Sequence, residues 1–178
     1  MNAGKMKKQQ FLLKINMKYH PITETIKNLL NNDSYWYKTF EHEPVRTSEE
    51  AAKIRPGYTL KQGAKAIIVR VKESASSKYM VMLVMPADKR FDTNKVKKLF
   101  NAKDIRFATE KEVGLLTGGI KPGGVPPFGN LFDMKVIADP SFFKNEKIIF
   151  NAGDRRFSIA MRSEDYKKLV GPEIINII

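Results

Sequence analysis

Ala64-Lys65-Ala66-Ile67-Ile68-Val69-Arg70-Val71, then a small polar link over residues 72–78, then Tyr79-Met80-Val81-Met82-Leu83-Val84-Met85-Pro86: this is the stretch around which the rest of the chain has to be arranged. Both runs are rich in β-branched and apolar residues, and neither carries glycine or an internal proline. Runs of this kind, bounded by polar loop residues, read as strands. They predict two adjacent central strands. The one charge at the head of the first run, Lys65, stands out against the Ala, Ile and Val that follow it.

Upstream, Pro21 to Asn31 predicts a helix, because proline suits the first turn and Ile22, Ile26, Leu29 and Leu30 share a face. Tyr35-Trp36-Tyr37-Lys38-Thr39-Phe40 is aromatic and partly alternating, so it reads as a strand. Thr47-Ser48-Glu49-Glu50 has the form of a capping box and opens a short helix through Ala51, Ala52 and Ile54. Downstream, Asp92-Thr93 caps a helix with Val96, Leu99 and Phe100 on its apolar face, and Ile105-Arg106-Phe107 reads as a short strand. Thr109-Glu110-Lys111-Glu112 is a second capping box, for a helix ending at Thr117-Gly118. Further strands are expected at Phe132–Ala138, Ile148–Asn151 and Phe157–Met161, with a helical turn at Ser141–Lys144 and a last helix from Ser163 to Val170. Short strands in mixed order with peripheral helices give an α+β fold, or a mixed sheet, in one domain.

The chain has 178 residues, enough for one domain with a sizeable core, and its 42% hydrophobic content is not that of a disordered protein. No apolar run approaches the roughly 20 residues that span a bilayer, which predicts a soluble protein without a membrane partner. The absence of cysteine excludes disulfides, thiolate metal sites and a cysteine nucleophile, and points to a reducing, cytoplasmic setting. No cluster of metal ligands is visible, so neither metal nor cofactor is expected. A net charge of +13 speaks about partners instead. Nucleic acid leads, ahead of an anionic membrane, with a merely solvated lysine-rich surface as the plain alternative. No arginine-rich helix, zinc-finger spacing or ribonucleoprotein motif argues for sequence-specific groove reading. Residues 1–18 hold Lys5, Lys7, Lys8, Lys14 and Lys18 and no acid. They lack the apolar core of a secretory signal and read as a mobile basic arm, or as an over-extended start upstream of Met17, ahead of a domain over residues 19–178.

A second stretch carries the chemistry: Thr117-Gly118-Gly119-Ile120-Lys121-Pro122-Gly123-Gly124-Val125-Pro126-Pro127-Phe128-Gly129. Glycine permits positive φ and close approach of a ligand to the backbone, while proline fixes φ and removes donors. The pattern predicts a shaped loop with bare N–H groups at Gly123, Gly124 and Val125, stiffened by Pro126-Pro127. Such a loop suits a carbonyl, carboxylate or phosphate oxygen. An ordinary surface connection is the simpler reading of the loop by itself.

Taken in order, five segments make the chain resemble the YbaK/ProX superfamily of aminoacyl-tRNA deacylases, the fold also found as the editing insertion of bacterial prolyl-tRNA synthetases. They are His42-Glu43-Pro44-Val45 with Ser48-Glu49-Glu50-Ala51-Ala52; Lys65-Ala66-Ile67-Ile68-Val69; Met85-Pro86-Ala87-Asp88-Lys89-Arg90; the Gly/Pro loop; and Asn151-Ala152-Gly153-Asp154-Arg155 with Ser158-Ile159. The family's GXXXP signature falls on Gly123 to Pro127, and the resemblance runs from about Tyr37 to Gly171. It implies hydrolysis of the ester joining an amino acid to the terminal adenosine of a mischarged tRNA of the tRNA(Pro) type or a related small-amino-acid type. Aminoacylated tRNA is then the partner, with an aminoacyl-tRNA synthetase as a further one.

The resemblance also implies the site. Lys65 lies in the editing pocket, holding the terminal phosphate or ribose or offsetting developing negative charge. Gly123, Gly124 and Val125 supply backbone donors to the substrate carbonyl. Gly118, Pro126, Pro127 and Phe128 shape the substrate side of the loop, Thr117 either caps the loop or hydrogen-bonds near the ligand, and Asp154 and Arg155 either form a turn ion pair or line the pocket. His42, in a loop ahead of a capped helix, suits a polar structural or substrate-edge role and is assigned no catalysis. Ala66 stands where some branches carry Asn, so the amino-acid preference of those branches does not transfer. A catalytically silent tRNA-binding or synthetase-associated module on the same fold is the rival reading. A phosphate-binding domain is a third, weakened by the lack of Gly-Lys-Ser/Thr at the end of the loop.

Overall fold

The computed structural model describes residues 18–45 and 47–178; apart from Lys18, the predicted basic arm lies outside the described residues. In chain order the elements are helix α1 (Pro21–Asn32), strand β1 (Tyr37–Glu41), helix α2 (Ser48–Ile54), strands β2 (Ala64–Lys72) and β3 (Lys78–Pro86), helix α3 (Thr93–Leu99) and strand β4 (Asp104–Phe107). Helix α4 (Glu110–Thr117) and strands β5 (Lys135–Ala138), β6 (Lys147–Asp154) and β7 (Phe157–Arg162) follow, then helix α5 (Ser163–Val170) and strand β8 (Glu173–Ile174). The α+β expectation holds.

The opening stretch forms the hairpin around which everything else packs. β2 and β3 pair antiparallel without interruption from Ala64 opposite Pro86 to Lys72 opposite Lys78. The polar link closes on itself: Ser77 N–H donates to Ser74 Oγ, and the Glu73 carboxylate accepts from the Ser77 and Tyr79 hydroxyls. β4 adds antiparallel to β2, while β5 adds parallel to β3 and β8 parallel to β5, giving the order β4-β2-β3-β5-β8. A second, antiparallel sheet runs β1-β7-β6.

Because strand side chains alternate, β3 supplies both faces of its sheet, and its near-continuous apolar run is that of a strand buried on both sides. Met82 and Val84 join β6, β7, α1 and α5 residues in a core between the sheets. Val81, Leu83 and Met85 join Val69, Val71, Val96 and Ile177 in a second core under α3 and the C-terminal tail. That tail is pinned by Asp139, whose carboxylate accepts from the Ile177 and Ile178 N–H groups and from Ser141. Burial alone would raise the Asp139 carboxyl, but these hydrogen bonds outweigh it and hold it below the usual carboxylate value.

Both predicted capping boxes form, at Thr47 and at Thr109. One strand is shorter than expected. Gly129–Phe132 makes a 3₁₀ turn ended by Asp133 at φ +53, so β5 starts only at Lys135. Leu131 and Phe132 look strand-like in sequence yet pack against the core from a turn.

Candidate active site

A cavity of about 100 Å³ opens where the two sheets meet, beside a bridge between Gly63 and Ile149. The strands are close there: a Cβ on Gly63 would lie 2.8 Å from that of Ala87. Helix α2 walls the cavity with Ala51 and Ala52 and its C-cap with Arg55, the start of β2 with Ala64, Lys65 and Ala66, and β6 with Ile149, Phe150 and Asn151. The Gly/Pro loop contributes Gly123 and Val125.

Lys65 is where the sequence put it, at the head of β2. Alternation sends its side chain to the opposite face from Ala64 and Ala66, and its ammonium donates to the Lys89 carbonyl at 2.7 Å. Burial, with Arg90 adding to it, holds this ammonium below the ordinary lysine value against the opposing pull of Glu49 and Asp88.

The loop is shaped by its glycines and braced from outside. Gly123 sits at φ +86, a conformation that any other L-residue adopts only under strain. Its carbonyl accepts from Asn151 Nδ2 at 2.7 Å, which turns the Gly123 peptide toward a fixed direction. Arg155 Nε donates to the Pro122 carbonyl at 2.8 Å. Among the described residues the N–H groups of Gly123 and Val125 have no protein acceptor. Gly124 does not join them. Its N–H donates to the Lys121 carbonyl at 2.9 Å and its carbonyl accepts from Gly153, so the expected three bare donors are two, because the turn itself consumes the third.

The remaining loop residues serve the scaffold instead of the cavity wall. The Thr117 hydroxyl is buried and donates to the Val113 carbonyl at 2.7 Å. Gly118 is the left-handed cap of α4. Phe128 is fully buried against Phe150 and Tyr166, and the Tyr166 hydroxyl donates to the Pro127 carbonyl at 2.7 Å. Neither Pro126 nor Pro127 lines the cavity. The suggested Asp154–Arg155 ion pair does not form. Asp154 pairs with Arg156 at 2.9 Å, and Arg155 faces a separate, larger cavity of about 530 Å³ behind the loop.

The sequence reading missed Arg55. The residue is 6% exposed, and its Nε donates to Ser158 Oγ at 3.0 Å while its second terminal nitrogen donates to Asn151 Oδ1 at 2.6 Å. No carboxylate pairs with it among the described residues, and burial pushes its pKa down to about 10, leaving it charged at neutral pH. Ser158 also meets His42: Nδ1 of that ring donates to the Glu43 carbonyl at 2.8 Å, so Nε2 of the neutral ring accepts from the Ser158 hydroxyl at 2.6 Å. Burial lowers the His42 pKa and favours this neutral form. A chain of hydrogen bonds thus runs from His42 through Ser158, Arg55 and Asn151 to the Gly123 carbonyl. In sequence, Arg55 before Pro56-Gly57 reads only as a cation at a helix end, and nothing local tells that it is buried.

This network predicts a measurable result. Asn151→Ala removes the bond to the Gly123 carbonyl and leaves Arg55 short of an acceptor, and loss of one hydrogen bond to a charged group costs about 1.5–3 kcal/mol. Turnover is expected to fall at least tenfold with a modest loss of thermal stability, and Asn151→Ser to recover less than half of it. Activity at the wild-type level in the alanine variant would remove Asn151 from the site.

The protein-family comparison matches the aminoacyl-tRNA editing domain over residues 42–169. The multifunctional Ser/Thr-tRNA deacylase ProXp-y of Escherichia coli (strain K12) is 32% identical over 149 residues, 83% of this chain and 87% of that one. A proline–tRNA ligase of Ralstonia pickettii (strain 12J) is 31% identical over 101 residues, which is 57% of this chain and 17% of the ligase. A solved structure of a proposed trans-editing enzyme for prolyl-tRNA synthetase superposes with a TM-score of 0.73 at 22% identity, over 89% of this chain and 97% of that one, a likeness of fold.

Proposed function

The chain belongs to the aminoacyl-tRNA editing domain family, and from that membership we propose a trans-editing deacylase that hydrolyses the ester of tRNA mischarged with a small, hydroxylated amino acid. The observation that carries the reading is the cavity itself: Gly123 and Val125, whose N–H groups have no protein acceptor among the described residues, line a space of about 100 Å³ together with Lys65 and the buried Arg55. An apolar cavity of about 150 Å³ holds benzene, so this one takes a side chain smaller than an aromatic ring. The polar atoms of Arg55 and Asn151 suit a hydroxyl on that side chain, as on serine or threonine. The relationship to a Ser/Thr-tRNA deacylase supports the same choice.

An aminoacyl ester is already activated, so positioning and charge stabilisation are sufficient chemistry. Water adds to the ester carbonyl carbon, and the carbonyl oxygen becomes an oxyanion facing the Gly123 and Val125 N–H groups. The bond to the ribose oxygen then breaks, that oxygen takes up the proton given up by the water, and the free amino acid and the tRNA separate. Lys65 holds the ribose–phosphate end and offsets the negative charge that develops in the transition state. His42 is engaged on both ring nitrogens and is not the base. A substrate hydroxyl or a held water relays the proton.

A deacylation panel tests the size argument. Seryl- and threonyl-tRNA are expected to lose their amino acid at least tenfold faster than phenylalanyl- or tyrosyl-tRNA; equal rates across the panel would overturn selection by this cavity. The +13 charge predicts steep salt dependence of tRNA binding, with a log–log slope of roughly −0.7 to −0.9 per phosphate neutralised. Removing residues 1–16 should make that slope shallower and spare hydrolysis of a short acceptor mimic. A flat salt dependence would contradict a nucleic-acid partner for the charge.

A further inference from the structure

The face of β2 that carries Lys65 continues into a surface that the cavity does not use. Lys65, Ile67 and Val69 share that face by alternation, and Phe107 of β4 is paired with Val69, so its ring lies on the same side. Val69 is fully buried, whereas Phe107 is 61% exposed. The Phe107 ring meets Phe91 at 5.6 Å between centroids. Phe91 directly follows Lys89 and Arg90, and the Lys89 carbonyl is the acceptor for the Lys65 ammonium. At about 3.3 Å per residue, Val69 and its partner Phe107 lie about 13 Å along the strand from Lys65, a distance that a short run of unpaired nucleotides spans.

A large aromatic ring held in solvent against Phe91, whose chain neighbours Lys89 and Arg90 lead back to the site through the Lys65–Lys89 contact, has the chemistry of a stacking platform for single-stranded nucleic acid. We propose that Phe107, supported by Phe91 and flanked by Lys89 and Arg90, stacks an unpaired base of the acceptor end, one of the nucleotides preceding the aminoacylated adenosine. This inference rests on the deacylase reading given above. The occupant follows from charge as well as shape: Arg90 has no acidic partner among the described residues and is available to a phosphate, whereas Lys89 stands 3.7 Å from Asp88. Stacking is tolerant of base identity, because every base presents a π-face. The ledge therefore contributes affinity and register for the 3′ end without restricting the tRNA.

The test compares two substrates and two variants. Phe107→Ala is expected to raise KM for a seryl- or threonyl-acceptor hairpin with a complete single-stranded 3′ end about tenfold, with kcat kept. The same variant should hydrolyse the corresponding 2′(3′)-O-aminoacyl adenosine, which has no preceding nucleotides, at the wild-type rate. Phe107→Trp should retain the low KM. Unchanged KM for the hairpin in Phe107→Ala would overturn the proposal, and so would equal losses on both substrates, the mark of a distorted site. A shift of wild-type sedimentation to a dimer that Phe107→Ala abolishes, with KM unchanged, would assign the ledge to a second copy of the chain. If the wild-type protein hydrolyses neither substrate, the deacylase reading fails, and titration with an uncharged acceptor hairpin still decides the ledge: tenfold weaker binding by Phe107→Ala supports it and equal binding refutes it.

Discussion

Lys65→Ala is expected to lower kcat/KM for a mischarged tRNA about 100- to 1,000-fold, the range for losing one preorganised electrostatic contact to a transition state. The melting temperature should hardly move. Lys65 stands at the head of β2, ahead of the apolar run Ala66-Ile67-Ile68-Val69; its side chain lies against a backbone carbonyl instead of filling the core, and its removal opens no cavity. The same residue sets a pH dependence. Burial lowers the lysine pKa, so the cation is present at neutral pH and is lost as pH rises, earlier than for a free lysine. After correction for uncatalysed alkaline hydrolysis, kcat/KM should therefore fall on its alkaline limb at a pH below the ordinary lysine value of 10.5, and that limb should vanish in Lys65→Ala. Full activity in the variant at matched stability would take Lys65 out of the site.

Gly123→Ala is expected to cost about 100-fold in turnover with a smaller loss of stability. At φ +86 an alanine is strained by about 1–2 kcal/mol, and relief of that strain rotates the peptide whose N–H is proposed to meet the oxyanion. The corresponding drop in melting temperature is about 2–8 °C for a chain of this size. Gly114→Ala serves as the control. That glycine lies within α4 with no atom within 4 Å of an added Cβ, so the substitution should keep activity and add about 1 kcal/mol of stability. Similar activity losses in both variants would show that the loop geometry at Gly123 is not special.

Features written in local sequence were legible and features made by long-range contact were not. The β2–β3 hairpin, the capping boxes at Thr47 and Thr109 and the core faces follow from periodicity and capping chemistry, and they form as read. Lys65, Gly123 and Val125, which the resemblance assigned to the site, line one cavity. Thr117 and Phe128 shared the same loop, but whether a threonine hydroxyl faces a ligand or its own helix is decided by the packing of α4, which sequence does not display. Gly124 failed as a donor for a similar reason: the turn that glycine makes possible consumes its own N–H. Arg55 illustrates the largest gap. It lies 96 positions from Asn151 and 103 from Ser158, and only the meeting of α2 with β6 and β7 turns an ordinary helix-end arginine into a buried charge.

The most direct measurement is release of labelled serine or threonine from the corresponding tRNA by the purified protein in excess chelator, followed against the uncatalysed rate. Hydrolysis well above background that is insensitive to the chelator and is lost in Lys65→Ala is the result this account predicts. No release from any aminoacyl-tRNA in a broad panel, with tRNA still bound, would contradict it and leave a silent tRNA-binding module in its place.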